Sequence, residues 1–374
     1  MSRLLRLRTK RREDRISDLP DALLDHILSF LPTKDAIATS ILSKRWKPIW
    51  RSQVIIYMDD EPFPDSFAFH QFFNSFITLR DNTLPILSFH LKSRHRFFDF
   101  VYPAITRHLE TLIVDLYRPN KMPYIVLRTK TLSVLKLKRT ILNQEFPSVD
   151  LPSLKFLHLE NVTFTRVANF HKLLSGCPIL QELEISDLSV QIRSKLPPLV
   201  IAISNLVRAN ISGDSMIGLA CLHNVDHLHV QLNCLPPIIV FYNLTRLELI
   251  FNFHHELSAV SKWRWLTKLL QNTPNLQTLI IHDLFKVDEE VLEWEDPDIV
   301  PECLLSHLTT CSLINYTLVK SELRFAKYIM RNSRLLNTIT IQSAKFLDTN
   351  AKLQMLTELS SCPRISPTSK LFFI

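Results

Sequence analysis

The sequence predicts an α/β chain: a small N-terminal three-helix head, then a solenoid of stacked strand-plus-helix repeats, a horseshoe with a parallel sheet on its concave face. Three observations predict it. Apolar residues recur at helical spacing between Asp14 and Trp50. From about residue 84 the period changes, and one short strand template returns eleven times. Hydrophobic residues make up 46% of the 374 positions and charged residues 21%, so the chain can fill a large core.

The head comes first. Leu23, Leu24, Ile27, Leu28 and Leu31 form one apolar stripe. Asp18 or Leu19 precedes the helix, Pro20 suits its first turn, Asp21 complements the dipole there, and Pro32 ends it. Thr33 is placed to cap a second helix that carries Ala36, Ile37, Ser40, Ile41 and Leu42 toward Trp46. Pro48 either stops that helix or opens a third short turn bearing Trp50. Apolar groups therefore lie on more than one face, and so small a piece cannot hide them all.

The repeats follow a connector at 53–83. "LSVLKLKR" (132), "LKFLHLEN" (154), "LQELEISD" (180), "LTRLELIF" (244) and "LQTLIIHD" (276) show the template, apolar-x-x-apolar-x-apolar. The eleven starts lie 19 to 32 residues apart, about 25 on average, the period of a leucine-rich repeat. Segments such as 170–178 and 264–274 read as short helices ending at Gly or Pro. Period two sends the template residues into the core and the intervening ones outward. Those are His90, Asp115, Lys136, Lys138, His158, Glu160, Glu182, Glu184, Arg208, His227, His229, Arg246, Glu248 and His282. Their mixed signs suit a protein surface better than a polyanion.

Composition excludes several function classes. Only Gly176, Gly213 and Gly218 are glycine, and no phosphate-cradling loop or nucleophile elbow occurs. The six cysteines are scattered without a C-x-x-C pair, which argues for reduced, buried thiols rather than zinc or disulfides. His227 and His229 share a face but have no third ligand at metal-site spacing, so no metal or cofactor is expected. Asp296 with Asp298, and Asp59-Asp60-Glu61, read as solvated turns. His254-His255 and Trp263/Trp265 read as loop packing in the insert after the eighth strand. No catalytic trio is placed by spacing, so the chain reads as a non-enzyme. Six of the formal net +8 charges sit in the first twelve residues, a basic tail that either is solvated or serves as an address. Nothing downstream suits nucleic acid, and no run spans a membrane, so a cytoplasmic or nuclear protein is expected.

The stretch "LPDALLDHILSFLPTKDAIATSILSKRWKPIW" closely resembles an F-box of the plant F-box/leucine-rich-repeat type. The matching elements are Leu19-Pro20, the helix Leu23 to Leu31, Pro32-Thr33-Lys34-Asp35 and Leu42-Ser43-Lys44-Arg45-Trp46. The stretches at 300–341 and 359–374 resemble the FBD region of the same family. The resulting division is a tail at 1–13, an F-box at 14–52, a connector at 53–83, repeats at 84–294 and an FBD-like region at 295–374. The resemblance implies a substrate-recruiting subunit of a Skp–cullin–F-box (SCF) ubiquitin ligase. Leu19, Pro20, Leu23, Ile27, Leu28, Leu31, Pro32, Ile41, Leu42 and Trp46 would bind a Skp-family adaptor, and through it a cullin. Lys136 to His282 of the concave face would hold the target protein. A non-ligase protein-binding scaffold and a small-molecule-dependent co-receptor are the alternatives.

Overall fold

The computed structural model describes residues 16, 18–94, 98–142, 148–192, 203–213, 219–253, 259–283, 295–317 and 319–374. The basic tail and His254-His255 lie outside them. The chain divides into two compact units, Met1–Arg118 and Pro119–Ile374.

In the first unit the head comprises α1 (Asp21–Leu28), α2 (Thr33–Ala38), a 3₁₀ turn (Thr39–Ile41) and α3 (Trp46–Arg51). Pro20 and Pro32 occupy the N-cap positions, neither with a side-chain cap. Thr33 does not cap α2 as expected. Its hydroxyl accepts the Tyr57 backbone N–H instead (3.0 Å). Pro48 lies within α3, in its first turn, where a missing N–H breaks nothing. The connector is not plain: it carries β1 (Ile55–Asp59) and α4 (Ser66–Leu79), capped by Asp65 accepting from the Ala68 N–H. Then come β2 (Ser88–Ser93), α5 (Phe98–Ile105) and β3 (Thr111–Lys121). β1, β2 and β3 pair in parallel with Ile56, Phe89 and Leu112 in one buried row. The sheet thus begins in the segment upstream of the first template match.

The second unit continues with β4 (Val134–Leu142), β5 (Phe156–Glu160), β6 (Thr163–Arg166), α6 (Val167–Ser175), β7 (Glu182–Ser186), β8 (Ser189–Ile192) and β9 (Arg208–Ser212). After these come β10 (His227–Leu232), β11 (Arg246–Phe251), α7 (Ala259–Gln271), β12 (Thr278–Asp283), α8 (Glu302–Ser306) and β13 (Thr310–Tyr316). It closes with α9 (Lys320–Asn332), β14 (Thr338–Ser343), α10 (Thr349–Ser360) and β15 (Lys370–Phe373). The parallel order is β4-β5-β7-β9-β10-β11-β12-β13-β14-β15. Every template strand of the sequence is present. Between β10 and β11, spaced at 19 residues, no helix intervenes, so the strand-plus-helix unit is not uniform.

One residue stands just beyond the core of several strands in left-handed backbone: Arg139, Asn161, Asp187, Gly213 and Asn315, with φ from 53° to 76°. Each lies five residues after its strand begins, at 134, 156, 182, 208 and 310. At 161 and 187 the chain turns a corner there and enters β6 and β8, which form their own short parallel ladder with the end of β4. Asn, Asp and Gly tolerate this backbone; Arg139 does so at a strain of about 1 kcal/mol or more. Trp263 and Trp265 sit not in a loop but on α7, both buried. Trp263 stacks on Phe325 at 4.6 Å between ring centres, and Trp265 donates its indole N–H to the Pro236 carbonyl (2.7 Å). Helical spacing with Leu266, Leu269 and Leu270 explains the placement.

Candidate functional site

Two surfaces carry the sequence-predicted residues, and they are opposite in chemistry. The head turns one apolar set inward: Leu24 and Leu28 of α1 are buried together with Trp46, Ile49 and Trp50 of α3. Trp50 lies 6.1 Å from Phe76 of α4, centre to centre. Polar clamps fix the arrangement. Arg45 donates to the Leu19 carbonyl (2.6 Å) and to Asp21 (2.6 and 2.9 Å), pinning the chain where it enters α1. Gln53 donates to the Asp25 carboxylate (2.6 Å), whose pKa is raised by burial against the opposing pull of His26. Lys34 donates to the Pro62 carbonyl (3.1 Å) and covers the Phe63 ring.

The outward set is what remains. Leu23 and Ile27 on α1 are 50% and 40% exposed, and Ile41 and Leu42 after α2 are 87% and 71% exposed. Pro20 is exposed, and Leu19, Leu31 and Pro32 are half-buried. Leu28 and Trp46 do not join this surface. They point into the head's own core, because α1 and α3 pack across them, and not outward where the sequence reading expected a partner to reach them. Phe30 is a member that the sequence reading missed; it is 74% exposed. Its position, three residues after Ile27 and seven after Leu23, carried the signal. Large apolar side chains left in water are the kind of group that docking surfaces expose.

The second surface is the exposed face of the parallel sheet. Lys136, Lys138, His158, Glu160, Glu182, Glu184, Arg208, His227, His229, Arg246, Glu248 and His282 all occupy its outward positions, alternating with the core. The structure brings them together as pairs. Lys138 meets Glu160 (2.7 Å) and Arg208 meets Glu182 (2.8 Å). His158 Nδ1 lies 2.6 Å from Glu184, and His282 Nε2 lies 2.9 Å from Glu248. Of the two histidines that share a face, His229 leans toward Glu248 (3.5 Å) and His227 toward Asp226 (3.0 Å). Lys138 holds the Glu160 carboxyl below the usual range. For Glu248 burial works against ionisation, but His229 and His282 outweigh it and the pKa falls. Lys136 lies over the Phe156 ring.

In the first unit, His90 and Asp115 share the outward register of β2 and β3. Asp59-Asp60-Glu61 is not a solvated turn. Asp60 is buried and accepts from the Ser93 hydroxyl (2.9 Å) and the Arg94 N–H (2.7 Å), while Lys92 bridges Asp59 and Glu61. Three consecutive acids resemble a solvated turn in the sequence because their basic partners lie more than thirty residues away. Asp296 and Asp298 are exposed.

Comparison with known proteins gives three family matches: the F-box domain over residues 16–56, the Leucine Rich Repeat over 153–178 and the FBD over 295–341. Two F-box/FBD/LRR-repeat proteins of Arabidopsis thaliana are each 31% identical to this chain. The alignments cover 96% and 91% of it, and 100% and 88% of theirs. An FBD-associated F-box protein of the same plant is 30% identical over 96% of this chain and all of its own length.

Proposed function

The chain belongs to the F-box/FBD/LRR-repeat family, and from that premise we propose that it is the substrate-recruiting subunit of an SCF ubiquitin ligase. The observation that carries the reading is the apolar set Leu23, Ile27, Phe30, Ile41 and Leu42, left in water by a head whose own core is already complete. A Skp-family adaptor would cover that set and link the chain to a cullin. An interface of ordinary size hides about 800 Å² per partner, and a few central apolar anchors dominate it. The repeats would hold a target protein.

In this reading the chain makes and breaks no bonds. Rate comes from proximity: a lysine of the held target is kept at high local concentration beside the activated ubiquitin. A rigid holder serves that purpose, and the clamps from the head to the segment that follows supply rigidity within the first unit. All six cysteines are free thiols, which suits the reducing cytosol or nucleus.

The test is a binding titration of the purified chain against a Skp-family adaptor, beside an Ile41→Ala/Leu42→Ala variant. Both side chains are exposed, so the variant keeps its fold. Binding by the wild type that weakens at least tenfold in the variant, about 1.4 kcal/mol, is the expected result. No binding by either form removes the ligase reading and leaves a scaffold.

A further inference from the structure

The charged sheet face is the obvious place for a target, yet most of its charged groups are already paired with one another. A ligand docking on Arg208, His158 or His282 must displace Glu182, Glu184 or Glu248, and it regains little for the desolvation. Beside that face, where β9 to β13 begin, runs a groove of different character. It encloses about 1100 Å³, open water at its mouth included. Its lining has neither Lys nor Arg. Its acid, Asp226, already accepts from the Thr245 hydroxyl (2.6 Å).

What the groove offers instead is amides. Asn205, Asn224, Asn243 and Asn275 each stand three residues before β9, β10, β11 and β12 and line it together. Three of them spend one side-chain N–H on the repeat before: Asn205 on the Pro178 carbonyl (2.7 Å), Asn243 on Asn224 (3.4 Å) and Asn275 on Tyr242 (2.7 Å). That bond fixes each amide and leaves it a carbonyl oxygen and a second N–H. Successive parallel strands lie about 4.8 Å apart, so the groove presents a row of fixed donor–acceptor pairs. Tyr242, 66% exposed, stands among them as a rigid apolar plate. Tyrosine flanked by Asn, Ser and Thr is the composition with which protein-binding loops read polypeptide.

We propose that the target is held in this groove rather than on the charged face, and that the groove takes an extended, uncharged, hydrogen-bonding segment of polypeptide. The segment's peptide groups pair with the amide row, and one of its side chains covers Tyr242. An acidic segment finds no Lys or Arg in the lining, and a basic one meets only Asp226, already engaged by Thr245. A neutral oligosaccharide is the competing ligand chemistry, disfavoured because Asp226 is already engaged by Thr245. The inference rests on the receptor reading.

The experiment selects random peptides displayed on phage against the full chain, with and without a Skp-family adaptor present, then measures the enriched peptide by fluorescence anisotropy. The expected peptides are poor in Asp, Glu, Lys and Arg. Tyr242→Ala should weaken them at least about tenfold, as truncation of an anchor does. An Asn243→Asp/Asn275→Asp variant should do the same, and Arg208→Ala/Glu182→Ala should change little. Enrichment of charged peptides, loss of binding with the Arg208–Glu182 pair alone, displacement by maltohexaose, or no enrichment would each overturn the proposal. Adaptor affinity is read separately: it should be untouched by Tyr242→Ala. Should the adaptor fail to bind while the peptide still does, the ligase reading falls and the groove stands.

Discussion

At the scale of single residues, neighbours in the F-box motif do opposite jobs. Trp46 is buried 3% exposed at the centre of the head, four residues after the 71% exposed Leu42. Trp46→Ala should therefore cost about 3–5 kcal/mol in chemical denaturation, whereas Leu42→Ala should stay within about 0.5 kcal/mol and act only on adaptor binding. The helical period could not separate them, because it says which residues are apolar together and not which of two apolar faces the chain covers itself. A second residue-scale case is Glu322, buried near Lys262 and Asp283, which pair with each other. Burial lifts its carboxyl above the usual range; Lys262 and hydrogen bonds from the Thr317 N–H (2.8 Å) and hydroxyl (2.9 Å) oppose this, and Asp283 adds to it. With the folded pKa above the unfolded 4.5, the unfolded chain releases this proton first. Stability from this group is thus intact below the unfolded value and is lost as pH rises through the folded one. Glu322→Gln keeps an acceptor for Thr317 and cannot ionise. Between about pH 4 and pH 7 its melting temperature should fall less than that of the wild type; a parallel fall would assign the pH dependence elsewhere.

At the scale of elements, the strands were legible and their surroundings were not. Eleven strands announce themselves because alternation places two apolar residues inward in each, as Leu157 and Leu159 or Leu279 and Ile281 do. β1 and β15 escaped because "IIYMD" and "KLFF" lack the leading leucine of the template, and β6 and β8 because four-residue strands carry no period. The groove of amides was equally hidden: four asparagines are ordinary loop residues until the repeat register aligns them. The left-handed corner is an element-scale device with a direct test. At Gly213 a Cβ would lie 2.4 Å from Asp187 Oδ1 with φ at +76°, so Gly213→Ala should destabilise by about 1–3 kcal/mol. At Arg139 the same backbone carries a long side chain, and Arg139→Gly should be neutral or stabilising by up to about 1 kcal/mol. The melting temperature should fall in Gly213→Ala and not in Arg139→Gly; a fall in both would remove the corner as the cause. Arg80 makes the matching argument for the first unit. Buried, it donates to the Gln53, Asp81, Leu84 and Pro85 carbonyls, at 2.5 to 3.1 Å. Arg80→Leu strands four acceptors and should cost about 3 kcal/mol or more, with faster amide exchange in α3.

At the scale of the whole molecule, thiol chemistry reports whether the repeats stay closed. Five of the six cysteines are buried, and they are distributed from Cys177 to Cys362 across the second unit. Three of them, Cys177, Cys303 and Cys311, have their thiols pushed up to about 12 by burial. Cys311 occupies a core position of β13, level with Leu279 on one side and Ile339 on the other. A thiol in that setting is both shielded and protonated at neutral pH, and only the thiolate attacks a disulfide reagent. Cys234 is exposed. Native protein mixed with Ellman's reagent near neutral pH should therefore release colour from one thiol at once and from the other five only on unfolding. Because the buried five are spread over successive repeats, their release follows the opening of the stack. Reaction in a single slow phase at the global unfolding rate would mean that the repeats open together. Stepwise release, with Cys362 ahead of Cys303 and Cys311, would mean that the C-terminal end frays first. Rapid reaction of more than one thiol in the native state would contradict the packing described for these strands.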